Sequence, residues 1–463
     1  MRARSTAEHR TRAIPLRVER RPRGRAGSRL PGGTGEAPLR VGVFVNLALT
    51  PEAGGHVKCW ERFAEAACDL EGRLDLSVHF LRDRPECRRL GANARFFLHP
   101  PVFSSRRLWF LQGAPDHSDL APRHPGLQEY LPDYDVLHTA ETTFAFADTV
   151  RDYACRHQAP LVTSTHTAIP RYTRIFAERA LRNLFGETML PRLLVERLRL
   201  PDRLARRLER RMQHYFRLCV RVLASSDEDY ARALEVLPPE RIGRLRRGVD
   251  LNRFHPRFRS RALLEDRYQV PRGAFVLLYV GRVDESKSPL VLARATRILR
   301  ARGLPVYTLF AGRGGQREEV AAALGPHGAC VGPVPQEALP PVYASADLFV
   351  LPSTTEVNPN VVNEARAAGL PTVLSTEGGS ARAVSRPGVD GLLVESSDPE
   401  AWAAELEALL QVPERLDLMR RAARREAERR LPTWRRVLEE DLLAAWEAVT
   451  PARAVPARRR AAA

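Results

Sequence analysis

From Arg40 onward the chain alternates short apolar runs with longer stretches of helical spacing. Arg40–Asn46 is β-branched and aromatic and reads as a buried strand, ending in a loop that carries Gly54 and Gly55. A helix is predicted from His56 to Leu70, then strands near Leu76–Leu81, Val136–Thr139, Leu161–Thr165 and Val220–Ser225. Pro238, Pro239 and the turn-rich segment Arg247–Pro256 interrupt the pattern. It restarts after Pro271: a strand at Ala274–Val280, a helix at Pro289–Arg302, and strands at Val306–Phe310, Leu348–Leu351, Thr372–Ser375 and Leu392–Val394. Strands alternating with helices predict an α/β protein of two Rossmann-like, doubly wound parallel-sheet domains facing a central cleft. The boundaries expected are a tail over 1–38, a first domain over 39–247 with a helical insertion over 171–221, a linker over 248–271, and a second domain over 272–431. A helix over 432–449 follows, which either packs on the second domain or crosses back to the first, and then a tail over 450–463.

Length and composition narrow the class. A chain of 463 residues with 44% hydrophobic and 28% charged side chains can fill two cores. Its longest apolar run, Ala274–Val280, is far below the roughly 20 residues a membrane-spanning helix needs. No secretory signal peptide is expected. Six scattered cysteines, none in a Cys-x-x-Cys pair, predict reduced thiols in a cytoplasmic protein.

The net charge of +18 is unevenly spread. Residues 1–40 hold eleven Arg against three acids, 451–463 four Arg and no acid, and 171–221 fourteen Arg against five acids. The two cores are therefore near neutral, which argues against a specific nucleic-acid partner. Leu181, Leu184, Phe185, Leu193, Leu194, Leu198, Leu204, Leu208 and Met212 recur among the insertion's arginines, a basic amphipathic pattern suited to an anionic membrane surface. The competing expectation is a helical insertion packed on its own domain. Lysine occurs only at Lys58 and Lys287, so the position of each is informative.

Three loops of the second half suit one kind of ligand. Gly281 and Arg282, followed by Lys287, put two cations after a strand, as a diphosphate requires. The loop around Gly312 opens another helix; the dinucleotide fingerprint is missing after either first strand, which disfavours an NAD enzyme. In the third loop Asn358 is predicted to cap a helix with Pro359 at its first position, and Gly369 and Pro371 to end it. Asn358, Asn360 and Val361 would then offer an anion-binding helix start, with Glu356 before it and Glu364 inside it to accept hydroxyl hydrogen bonds. The triplets Asp133–Asp135 and Asp227–Asp229 lie in the first half, away from these loops, and no metal site is assigned.

With the Gly54–Gly55 loop, Asp135–His138, Thr163–His166, Arg247–Pro256, Gly281–Lys287 and Ala344–Ser353 leading into Glu356 and Glu364, the chain resembles the retaining glycosyltransferases of family 4. The likeness covers most of residues 40–450 and implies the GT-B fold. It implies a hexosyltransferase that moves a sugar from a UDP- or GDP-linked donor to a glycan or lipid-linked acceptor, without metal or other cofactor. By this resemblance Arg282 and Lys287 bind the donor diphosphate, Glu356 the transferred sugar and Glu364 the ribose. His166 lies beside the reacting sugar, and Gly54 and Gly55 near the phosphate and acceptor. Val357–Asn360 departs from the small glycine-containing stretch usual in the family. Retention without a carboxylate nucleophile implies front-face displacement. A nucleotide-sugar epimerase on the same fold and an inactive nucleotide-sugar-binding protein are the alternatives. The implied location is cytoplasmic, peripheral on the inner membrane face.

Overall fold

The computed structural model describes residues 37–50, 53–111, 118–167, 169–186 and 188–450. Apart from residues 37, 38 and 450, the two basic tails lie outside the described residues.

Eight strands form the first sheet: β1 Leu39–Ala48, β2 Leu74–Leu81, β3 Glu86–Arg89, β4 Ala94–His99, β5 Val136–Thr139, β6 Leu161–Ser164, β7 Arg221–Ala224 and β8 Ile242–Arg244. Their order is β3-β4-β2-β1-β5-β6-β7-β8, parallel except for β3 against β4. Six build the second: β9 Phe275–Val280, β10 Val306–Ala311, β11 Gly328–Gly332, β12 Leu348–Leu351, β13 Thr372–Ser375 and β14 Leu392–Val394, ordered β11-β10-β9-β12-β13-β14. Strand order reverses beside β1 in one sheet and beside β9 in the other. Ligands of open α/β sheets bind outside the carboxyl ends of strands at such reversals. The loops after β1, β5, β9 and β12 are therefore the ones placed for chemistry.

Ala94–His99, where no strand is predicted, forms β4, which pairs with β2 from Leu76↔Ala94 to Leu81↔His99. Arg95 interrupts its apolar run and hid it; in the fold Arg95 pairs with Asp75 of β2.

The second sheet's core includes Tyr279, Phe310, Tyr343 and Trp402. The first sheet is covered on both faces. Phe44, Phe146, Tyr215 and Phe216 pack on one side, and Trp60, Phe63, Val437, Leu438, Leu442 and Trp446 on the other. The last described helical run, 434–449, thus lies in the core of the first sheet, held by aliphatic residues whose burial is worth about 1.5–3 kcal/mol each. It departs at Gly248, where a Cβ would lie 2.5 Å from the backbone of Trp434, and Val249 N–H donates to Pro432 O at 3.0 Å. The outgoing and returning chain segments cross there, and only glycine fits.

All six cysteines are unpaired thiols. Among the described residues no helix is long and apolar enough to cross a membrane.

Candidate active site

After β9, Gly281 turns the chain (φ +150°) into a short 3-10 turn, Glu285–Lys287, started by Asp284 accepting from Ser286 N–H at 3.0 Å. Thr355 Oγ donates to Ser286 O at 2.6 Å, stitching this turn to the loop after β12. The two loops bring Lys287 Nζ to 2.6 Å from Glu356 Oε1. Burial pulls the Lys287 ammonium down, but the Glu356 charge outweighs it and the pKa stands above the ordinary value. Arg282 pairs with Asp284 at 3.0 Å and donates to Ser286 Oγ at 3.1 Å. Glu364 accepts from Tyr343 O–H and Gln336 Nε2–H, both at 3.2 Å, and burial raises its pKa. Lys287, Arg282 and Glu356 therefore come together after β9 and β12, while Glu364 sits inside the following helix on Tyr343 and Gln336.

The helix after β12 differs from expectation. It spans Asn360–Ala367 with Pro359 at the N-cap, and no side chain caps it, so Asn358 is not the cap. Proline takes that position because the N-cap amide has no helical partner to lose and its φ of −77° is the one the ring imposes. Asn360 Nδ2 reaches Gly55 O at 3.4 Å, and Asn360 Oδ1 is buried without a partner. Gly55 opens the helix Gly55–Ala67, so two helix N-termini meet across the cleft. Their partial positive charges repel unless an anion lies near both. Gly54 is the N-cap of that helix, and Val361 sits in the first turn of the other. Gly312 answers a packing need as well: a Cβ there would stand 1.7 Å from Gly281 O.

Facing these loops, His166 ends a buried hydrogen-bonded chain. Arg247 Nη2 donates to His166 Nδ1 at 3.0 Å, and Trp446 Nε1–H donates to His138 Nδ1 at 2.9 Å. Arginine and indole only donate, so both imidazoles carry their proton on Nε2. Each Nε2–H then donates to Ser164 Oγ at 2.8 Å. Burial, with Arg247 and neighbouring histidines, holds the His166 pKa well below 6.5. Both ring nitrogens of His166 are engaged, so this neutral ring offers no free nitrogen as a base. His56, whose ring stacks on His166 at 4.3 Å and 8°, has a buried Nε2 with no partner.

Sequence reasoning missed Tyr172. It lies in the first turn of the helix Ile169–Phe185, inside the insertion expected either to face a membrane or to pack on its own domain. That turn instead reaches across the cleft: the Tyr172 ring centroid is 5.6 Å from the Arg282 guanidinium and 5.8 Å from Lys287 Nζ, at cation–π distance. Burial pushes the phenol pKa up, yet Lys287 and Arg282 bring it below the ordinary value. Arg171 adds an ion pair with Glu377 at 3.3 Å. The signal available was an aromatic six residues beyond His166. Of the nine apolar residues expected to form the amphipathic pattern, Met212 is buried, Leu184, Leu193, Leu198 and Leu204 are exposed, and Leu181, Phe185, Leu194 and Leu208 are half-buried. The Asp triplets serve ion pairs: Asp135 with Arg40, Asp227 with Arg244 and Arg382, and Asp229 with Arg232.

Two family models match, Glycosyltransferase Family 4 over residues 53–253 and Glycosyl transferases group 1 over residues 274–412. A D-inositol 3-phosphate glycosyltransferase of Thermobispora bispora is 36% identical over 206 residues, 42% of this chain and 47% of that protein. The enzyme of the same name from Geodermatophilus obscurus is 38% identical over 227 residues, 46% and 48% of the two chains. The chain thus spans about half the length of the curated relatives it matches. Among solved structures, Anabaena HepE in complex with UDP and glucose superposes with a TM-score of 0.60 at 18% identity, over 86% of this chain and 97% of the other. Sucrose-phosphate synthase from Thermosynechococcus elongatus gives 0.61 at 19%, over 86% and 96%. Two parallel-sheet domains with their reversals facing one cleft, and family models matching each half, lead to one conclusion: the chain belongs to glycosyltransferase family 4 and has the GT-B fold.

Proposed function

We propose that this protein is a retaining glycosyltransferase that moves a hexose from a nucleotide diphosphate sugar to a glycan, lipid-linked or phosphorylated polyol acceptor. The observation that carries the reading is the Lys287–Glu356 contact, with Arg282 beside it, at the strand reversal of the second sheet. A donor lying there would place its diphosphate on Arg282 and Lys287 and on the two helix starts. Its ribose hydroxyls would donate to Glu364 and its sugar hydroxyls to Glu356. The UDP held by HepE supports a uridine donor, with GDP as the other choice, and the relatives' names support inositol phosphate among the acceptors.

In this reading the bond from sugar C1 to the diphosphate oxygen breaks while the acceptor oxygen bonds C1 on the same face. The acceptor's proton passes to the departing phosphate oxygen. Arg282 and Lys287 stabilise the charge on the leaving group without a metal ion or other cofactor. His166 positions the cleft beside the sugar through its ring and backbone rather than by moving a proton.

Exposed Leu184, Met189, Leu190, Leu193 and Leu198 among the insertion's arginines support a peripheral location on an anionic inner membrane face, in the cytoplasm, where a lipid-linked acceptor would be at hand. The reading assigns no specific nucleic-acid partner.

The test is a donor screen. Thermal stabilisation by UDP, GDP and ADP identifies the base, since a ligand of the folded state raises Tm, and analysis of products from the matching sugar donors follows. Transfer with retention supports the reading. An isomerised free sugar would make the protein an epimerase, and binding without product a binding protein.

A further inference from the structure

We infer that a chamber on the linker side of the cleft binds a phosphate group, held by Arg247 and Ser380 and apart from the donor cations Arg282 and Lys287. The chamber has a volume of about 300 Å³, at the lower end for small-molecule sites, and lies between the linker, Asn358–Pro359, the loop Gly379–Ser385 and Arg430–Pro432. Neither Arg282 nor Lys287 lines it.

Its charge is unbalanced. Among its arginines, Arg246 pairs with Asp441, Arg366 with Asp390 and Arg382 with Asp227. Its one lining carboxylate, Glu426, is taken by Arg429 and Arg386. Arg430 has Ser385 Oγ as its partner and no acid. Arg247 is the decisive case. It is 4% exposed, and among the described residues its polar partners are His166 Nδ1 and Cys59 Sγ, with Nε unpartnered. Neither contact carries a negative charge, because burial holds the Cys59 thiol up at about 11. A buried cation without a counter-ion is costly, and an anion in the adjoining space removes that cost. Ser380, fully buried with an unpartnered Oγ, lines the same space and supplies a hydroxyl donor. An unpaired guanidinium, a free hydroxyl and a rim of arginines suit a phosphate monoester dianion, with several acceptor oxygens to satisfy.

The phosphate has two sources: a phosphorylated acceptor, which rests on the transferase reading, or free phosphate acting as an effector. Either would bear on Arg247 and, through it, on His166.

Calorimetric titration of the full chain with inorganic phosphate, inositol monophosphate and inositol tests this. Phosphate-bearing ligands should bind and inositol should not. Binding should weaken about tenfold or more in Arg247→Gln and several-fold in Ser380→Ala, a small change kept in case the first variant does not fold. Lys287→Ala, which lowers UDP affinity, should leave phosphate binding in place. Tighter binding of inositol monophosphate than of inorganic phosphate assigns the site to the acceptor; equal binding assigns it to a free effector. Phosphate binding lost in Lys287→Ala but kept in Arg247→Gln and Ser380→Ala, or no phosphate binding at all, overturns the proposal. UDP affinity unchanged in Ser380→Ala keeps this result independent of the donor-site reading.

Discussion

Lys287 Nζ stands 2.6 Å from Glu356 Oε1 although 69 residues separate them in the chain. A buried pair of this kind is costly to break from one side only. A donor that engages both must take over each partner's contact at once. Lys287→Ala and Arg282→Ala should each remove a charge-assisted contact of roughly 1.5–3 kcal/mol, weakening UDP or GDP binding about ten- to a hundredfold in calorimetry. Unchanged affinity in both variants would remove the diphosphate from these loops.

The two glutamates should separate binding from turnover. Glu356→Gln should lower kcat while free-nucleotide affinity holds or rises, because Lys287 is released from its partner. Glu364→Gln should lose affinity for free nucleotide and sugar donor alike. Its carboxylate is the form that accepts ribose hydroxyls, and burial raises its pKa above 4.5. Nucleotide affinity should therefore climb as pH rises through that raised value, and the Gln variant should lose this slope. Equal loss of free-nucleotide binding in both variants would contradict the division.

The chain of bonds from Arg247 to Trp446 predicts a positioning effect. Trp446→Phe leaves His138 Nδ1 buried without a donor, a loss of about 1–3 kcal/mol visible as a lower urea midpoint. His166→Ala should reduce transfer with little change in nucleotide affinity. Since the His166 pKa is held well below 6.5, no loss of rate between pH 8 and pH 6 should trace to this ring. A limb near pH 6.5 that disappears in His166→Ala would refute the neutral, fixed tautomer.

Glu141, in the loop after β5, is buried with Oε2 unpartnered and its pKa pushed up to about 8. The native state then holds one more proton than the unfolded state between about pH 4.5 and pH 8. Its contribution therefore falls as pH rises across that window and levels off above it. Glu141→Gln keeps the acceptor for Asn46 N–H and removes the ionisation, so it should raise stability most at pH 8 and above, by up to a few kcal/mol on the order of the shift. A Gln variant with the same pH slope in urea denaturation would exclude Glu141 as its source.

The membrane proposal is tested by co-sedimentation with vesicles, using protein lacking residues 1–38 and 451–463 so that the basic tails do not contribute. Binding to anionic but not neutral vesicles should be lost when Arg203, Arg206, Arg207, Arg210 and Arg211 become Gln. Each basic residue near such a surface contributes about 1 kcal/mol. No binding by the trimmed protein would mark the exposed leucines as something other than a membrane face.

The elements were legible where the signal is local. Val136–Thr139, Leu348–Leu351 and Thr372–Ser375 form strands at the predicted residues, because strands buried on both faces are dominated by apolar and β-branched residues, and the short edge strand Leu392–Val394 does so as well. The strands that escaped are the ones whose burial is partial or interrupted: β3 and β8 at or near the sheet edge, β4 broken by Arg95, and β11 with a glycine at each end. The helix stop was legible from Gly369 followed by Pro371, and Gly369 takes the left-handed conformation, φ +70°. The helix start was misread because asparagine and proline both suit a helix entry, and local propensity does not choose between them.

By itself, then, the sequence determined two α/β halves, the cationic loop after β9, and Glu356 and Glu364 on either side of a helix start. These follow from periodicity, turn chemistry and rare residue types, which act over a few neighbours. Only the tertiary structure decided that Lys287 meets Glu356, that Tyr172 lies over both cations, that Trp446 closes a hydrogen-bonded chain to His166, and that Arg247 is buried without a carboxylate. Those partners come from segments up to 308 residues apart. Their meeting is set by how the sheets and crossing helices pack, and each group's charge and proton follow from the burial and neighbours that packing creates.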